Sequence, residues 1–175
     1  MRTRDDLERW RNFGFVMTPS DPETKAPIIK DGKHFFDWTD DQLEIAQRLA
    51  FYQRESGVYT VDFDDPDFIA HGYCSMLPDT FTDGKVVDGK MITTHKTYKI
   101  NGAGALKFRY PQDAKGKKDG LLIETLTSSN TIFDGVDEEK AVLNDVPPVE
   151  TNVDELEKKL KLICFFTEVE KLYDV

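Results

Sequence analysis

Between Gly57 and Pro147 the chain breaks into short runs of β-branched and aromatic residues, each closed by glycine, proline, asparagine, serine or aspartate. A chain punctuated in this way builds a sheet, and its helices must come from elsewhere. Helical spacing occurs in the first third and at the C-terminus. Leu7 and Trp10 are the apolar pair of a charged stretch over 2–11. Thr39-Asp40-Asp41-Gln42 has the form of a capping box, and Leu43, Ala46, Leu49 and Ala50 follow it, predicting a helix over about 40–55. Asn152 can cap a last helix whose apolar face is Val153, Leu156, Leu160, Ile163 and Val169. This order predicts an α+β domain with an antiparallel or mixed sheet.

The strands are expected at 14–19, ending at Pro19, and at 58–64, ending at Asp65-Pro66, with a polar loop over 20–27. Asp83-Gly84 and Asp88-Gly89 read as turns inside a polar stretch over 78–90. Segments 92–100 and 105–110 read as a hairpin joined through Asn101-Gly102-Ala103-Gly104. A strand over 121–126 leads through Ser128-Ser129-Asn130 into a second hairpin arm at 131–133, and Pro147-Pro148 closes the sheet region. The organisation expected is one domain over 1–150 and a C-terminal helix over 151–175, leading toward a further region.

No apolar run approaches the roughly 18–20 residues of a membrane span, and the charged N-terminus lacks a signal-peptide core. A cytoplasmic protein without a membrane partner is the expectation. Cys74 and Cys164 stand far apart in sequence with no Cys-x-x-Cys or Cys/His grouping, which argues for core thiols over a zinc site. The net charge is −10, yet seven basic residues against one acid give 91–118 a charge of +6 and leave −16 for the rest. A basic island in an acidic chain suits a phosphate-bearing ligand; a solvated lysine-rich loop over 113–119 accounts for part of it equally well.

Asp62 and Asp64 are two apart in a β-branched strand, so both project from one face while Val61 and Phe63 project from the other. Aspartate is disfavoured in strands, and paired carboxylates repel unless a cation or solvent screens them. Hard oxygen donors of this kind suit Mg2+ or Mn2+. A bare Asp-x-Asp fits a solvated strand end as well. Glu124 is a third acid, alone in the apolar run Leu121-Leu122-Ile123-Glu124-Thr125-Leu126. If strands 58–64 and 121–126 are neighbours, the three carboxylates converge.

Taken in order, several segments resemble the primase-polymerase branch of the archaeo-eukaryotic primase superfamily over roughly residues 10–150. Gly14-Phe15-Val16-Met17-Thr18-Pro19 with Lys25-Ala26-Pro27 is similar to that family's N-terminal strand and lysine-proline turn. Val61-Asp62-Phe63-Asp64-Asp65-Pro66 looks like its first motif, Asn101-Gly102-Ala103-Gly104 with Lys107-Phe108-Arg109-Tyr110-Pro111 like the glycine turn of its second, and Ile123-Glu124 with Asn130 like its third. The second motif's histidine is absent after the glycine turn, where Ala105 and Leu106 stand. His95, in Thr93-Thr94-His95, carries a Thr-x-His string and can supply the imidazole from the preceding strand.

The resemblance implies a primase-like core with a sheet of the RNA-recognition-motif type and a small N-terminal α/β portion. It implies a nucleotidyltransferase, a template-dependent DNA primase and polymerase of plasmid or viral replication. Asp62, Asp64 and Glu124 would be the catalytic and metal-binding residues, with Mg2+ or Mn2+ as cofactor. His95, Lys99, Lys107, Arg109 and Asn130 would bind the nucleotide. The partners implied are a DNA template and primer, a dNTP or NTP, and a helicase domain or protein. A catalytically weak or inactive module that binds nucleic acid or a replication partner is the alternative, and a metal-dependent nuclease using the same acids the third.

Overall fold

The structure is a computed structural model that describes residues 2–28, 38–63, 72–100, 107–109, 121–127, 130–135 and 140–173, with backbone alone at 107–109, 121–122 and 167–173. It is an α+β arrangement of two mainly antiparallel sheets. The elements are α1 (Arg4–Asn12), β1 (Met17–Ser20), α2 (Asp40–Glu44), β2 (Arg48–Tyr52), α3 (Gln53–Ser56), β3 (Val58–Phe63), β4 (Phe81–Val87), β5 (Lys90–Lys99), β6 (Lys107–Arg109), β7 (Leu121–Leu126), β8 (Asn130–Gly135), β9 (Lys140–Asn144), β10 (Val149–Glu150) and α4 (Val153–Tyr173). A 3₁₀ turn, Tyr73–Met76, precedes β4.

The small sheet runs β1-β2-β8, and the seven-stranded sheet runs β6-β7-β3-β5-β4-β9, with β10 pairing parallel to β5. β3 takes a central place and is buried at every position except Asp62, which is half-buried. Its odd residues Tyr59, Val61 and Phe63 pack with Tyr98 and Ile123 against Leu156, Leu160 and Ile163 of α4. Its even residues turn to the opposite face. There Val58 and Phe81 meet Leu7 and Trp10 of α1 and Met17, Leu49, Phe51 and Phe133 of the small sheet. Phe15 stacks on Phe51 at 4.4 Å and meets Phe81 edge-on at 4.8 Å, pairs that stabilise by about 0.5–1.5 kcal/mol each beyond their buried area.

Several expectations hold. Thr39 forms its capping box, and Asn152 Oδ1 accepts from the Asp154 N–H at 2.8 Å. Cys74 and Cys164, neither in a disulfide, both belong to the core cluster between α4 and the large sheet. No helix among the described residues is long and apolar enough to cross a membrane.

Others are corrected. The helix over 40–55 ends at Glu44, and Arg48–Tyr52 is a strand held between β1 and β8. A strand with partners on both sides and both faces covered is a continuous apolar run, which periodicity cannot tell from a helix segment. β1 begins at Met17 and includes Pro19, tolerable because β1 is an edge strand. Segments 92–100 and 105–110 do not form a hairpin, since β3 and β7 lie between β5 and β6. Nor do β7 and β8, which belong to different sheets. Pro147-Pro148 precedes one more short strand.

Asp83-Gly84 lies inside β4 and is no turn, whereas Asp88-Gly89, at φ 50° and 73°, closes the tight β4–β5 hairpin. Gly84 sits where the β4–β5 register shifts, and a Cβ there would fall 2.2 Å from the Ile92 carbonyl oxygen. Glycine in a strand marks such a close backbone approach as readily as it marks a turn.

Candidate functional site

The register of the large sheet sets one row of residues side by side. Lys107 on β6 pairs with Glu124 on β7, Glu124 with Asp62 on β3, Asp62 with His95 on β5, and His95 with Asp83 on β4. Directly paired residues have Cβ atoms about 4.5–5.5 Å apart. Glu124 and Asp62 are thus immediate neighbours on the face away from α4.

His95 lies between two carboxylates. Its Nδ1 is 2.7 Å from Asp83 Oδ1, and its Nε2 is 3.3 Å from Asp62 Oδ1. Burial opposes a charge on the ring, but Asp83 and then Asp62 outweigh both that and the nearby Lys140, and the pKa is pushed up to about 9. The ring is therefore an imidazolium at neutral pH. Burial likewise works to raise the Asp62 carboxyl, yet His95, with Lys140 and Lys85 behind it, holds it below the ordinary carboxylate value. Asp62 is ionised.

Asp62 and His95 of this row lie in the floor of a cleft of about 640 Å³ between the two sheets. Lys85 and Lys140 line it from the large sheet; Arg48, Asn130 and Thr131 line it from the small one, and Lys25 from the loop after β1. Lys25 holds a left-handed backbone at φ 62°, and its carbonyl accepts from Ser20 Oγ at 2.9 Å and Asn130 Nδ2 at 3.5 Å. The turn that presents this lysine is tied to both β1 and β8. A cleft with cationic walls and an anionic floor matches a ligand that is itself polyanionic and brings metal with it.

Of the residues expected from sequence, Asp62, His95 and Asn130 line this cleft, and Glu124 stands beside Asp62 in the sheet register. Asp64 lies outside the described residues. Lys107 and Arg109 occupy the edge strand β6, described by backbone alone. Lys99 pairs with Val58 at the far end of β5, exposed and away from the cleft lining. Lys96, part of the basic island, is buried instead and donates to the Leu77 and Pro78 carbonyls at 3.2 and 3.3 Å. The sequence reading missed Arg48, Lys85, Lys140 and Asp83. Arg48 was hidden in a presumed helix, Asp83 in a presumed turn, and Lys140 among the acids of 137–139.

No three His, Cys, Asp or Glu side chains among the described residues gather into a metal-holding group. Asp62 and Glu124 offer two carboxylates, which fits a hard cation such as Mg2+; it retains several waters and takes further oxygens from substrate phosphates. His95 does not fit as a ligand, because a ring protonated on both nitrogens has no lone pair to give. Compared with models of known protein families and with curated proteins, the sequence matches none.

Proposed function

We propose that this chain is a primase-polymerase catalytic domain that transfers a nucleotide from a (d)NTP to the 3′-hydroxyl of a primer strand. The observation that carries the proposal is the registered row Glu124–Asp62–His95 beneath a cleft walled by Lys25, Arg48, Lys85 and Lys140. A primase-like core accounts for acids on two adjacent strands facing one cleft. The attacking oxygen forms a bond to the α-phosphorus, the bond to the β-phosphate oxygen breaks, and pyrophosphate leaves. Mg2+ or Mn2+, held by Asp62 and Glu124 with Asp64, would supply a lowered hydroxyl pKa and charge neutralisation at the leaving oxygens.

The chain's own residues do the rest. The His95 imidazolium holds its Nε2–H on the cleft floor 3.3 Å from Asp62 Oδ1, and its positive charge faces an incoming phosphate there as well. Lys25, Arg48, Lys85 and Lys140 neutralise the triphosphate and draw it into a chain that is otherwise acidic. Such fixed charges provide most of the catalysis in reactions where charge moves between oxygens. Replication of plasmid or viral DNA, with a helicase as companion, is the setting we infer from the sequence resemblance.

The test is extension of a labelled primer on a DNA template with Mn2+ and dNTPs. Extension by the wild type that Asp62→Ala abolishes supports the proposal. Shortening of the primer would make the protein a nuclease, and DNA binding with no incorporation would make it a non-catalytic module.

A further inference from the structure

Asp83 is the most deeply buried carboxylate near the cleft, with no exposed surface, and it does not reach the cleft itself. A carboxylate in such a place is costly unless paired, and an apolar residue of similar size commonly serves stability as well or better. Its surroundings are specific. Oδ1 accepts from His95 Nδ1 at 2.7 Å, from Lys140 Nζ at 3.4 Å and from Thr94 Oγ1 at 3.4 Å. Oδ2 is buried and has no hydrogen-bond partner.

The backbone is bent to bring these groups together. Asp83 pairs with His95 and Gly84 with Thr93, so Thr94 is the extra residue of a bulge. On the other side Thr82 pairs with Asn144 and Asp83 with Val142, so β9 shifts register at the same place. Gly84 permits the approach, since any side chain there would meet the Ile92 carbonyl. Bulges re-aim side chains next to functional sites, and this one aims Thr94 and His95 together at Asp83.

We propose that Asp83 is a positioning residue: by accepting the Nδ1–H of His95 it fixes the ring so that Nε2 alone faces the cleft floor and the nucleotide's phosphates. This rests on the reading of the cleft as a nucleoside triphosphate site. Asp83 never touches substrate; it acts through His95, and Lys140 balances its charge. A ring without this anchor can rotate about χ2 and withdraw its donor from the cleft.

The experiment compares wild type, Asp83→Asn, Asp83→Leu, His95→Ala and the His95→Ala/Asp83→Leu double variant, each checked for folding by thermal unfolding. The first readout is ¹⁵N-edited NMR of the His95 imidazole. A downfield Nδ1–H proton, protected from exchange, is expected in the wild type and in Asp83→Asn, whose amide oxygen can still accept, and is expected to be lost in Asp83→Leu. The second is the KM for dNTP in primer extension. Asp83→Leu should raise it about tenfold or more, the loss typical when an orienting partner behind a functional group is removed, while Asp83→Asn, which keeps the acceptor but not the charge, should raise it less. The double variant should be no worse than His95→Ala.

Survival of the protected proton in Asp83→Leu overturns the positioning role. So does a further loss in the double variant beyond His95→Ala, since a purely structural residue would add its own effect. If Asp83→Leu does not fold, Asp83→Asn decides alone: loss of the protected proton in that variant overturns the role. Absence of extension by the wild type sinks the nucleotidyl-transfer reading instead, and leaves the NMR comparison to judge the anchor.

Discussion

Replacing His95 by glutamine removes a proton-binding group that the fold keeps charged, and the stability lost should depend on pH in a defined way. The ring's pKa rises from 6.5 to about 9 because Asp83 and Asp62 overcome the cost of burial. At about 1.4 kcal/mol for each pH unit, that preference amounts to roughly 3 kcal/mol. A raised pKa means that the folded chain holds the proton more tightly than the unfolded chain. The stabilisation is therefore fully present below pH 6.5, declines as the pH rises, and is gone above about pH 9.

Urea unfolding of wild type and His95→Gln at a series of pH values measures this directly. The absolute gap contains other effects of the substitution, including what Asp83 loses, but its change with pH isolates the imidazole. The gap should shrink by roughly 3 kcal/mol between about pH 6 and pH 10, or about 6–12 °C in melting temperature for a domain of this size. A gap that stays constant or widens toward alkaline pH would refute the argument, because it would mean that the ring is buried neutral.

Gly84→Ala should destabilise by about 1–3 kcal/mol in chemical denaturation, because the new methyl collides with the Ile92 carbonyl and Leu143; it should also perturb the His95 imidazole signals. Phe81→Ala should cost about 3–5 kcal/mol, since Phe81 has no exposed surface and meets the rings of Phe13, Phe15, Phe51 and Phe133. Lys85→Ala, at an exposed cleft wall, should weaken dATP binding by up to about fivefold at low salt and by less at high salt, as measured by fluorescence titration.

What could be read from sequence was what is encoded locally. The capping box at Thr39, the Asp88-Gly89 turn and the amphipathic start of α4 each depend on residues within one or two turns of chain. Asp62 and Glu124 stood out because each breaks an apolar strand, and a broken local rule needs no partner to be seen. β2 was lost because strands on both sides and packing on both faces cover Leu49, Ala50 and Phe51, leaving no alternation to read. Asp83 was lost because an aspartate before a glycine has two physical uses, and only the neighbouring strand decides between them. Arg48 and Lys140 reach one cleft from different sheets, a closeness that no window of sequence contains.

The precision of the candidate site follows from the core on the other side of the same strands. Val61, Phe63, Ile123 and Tyr98 are almost wholly buried against α4, and they alternate with Asp62, Glu124, His95 and Thr97. A strand's two faces are rigidly coupled, so the register that buries those four is the register that aligns the acids and the imidazole. A slip of β7 by one residue would turn Glu124 toward Leu156 and Leu160 and bring Ile123 beside Asp62. The penalty for a buried, unpaired carboxylate opposes that slip. The row Glu124–Asp62–His95 is thus held in line by the apolar packing on the opposite face of the same strands.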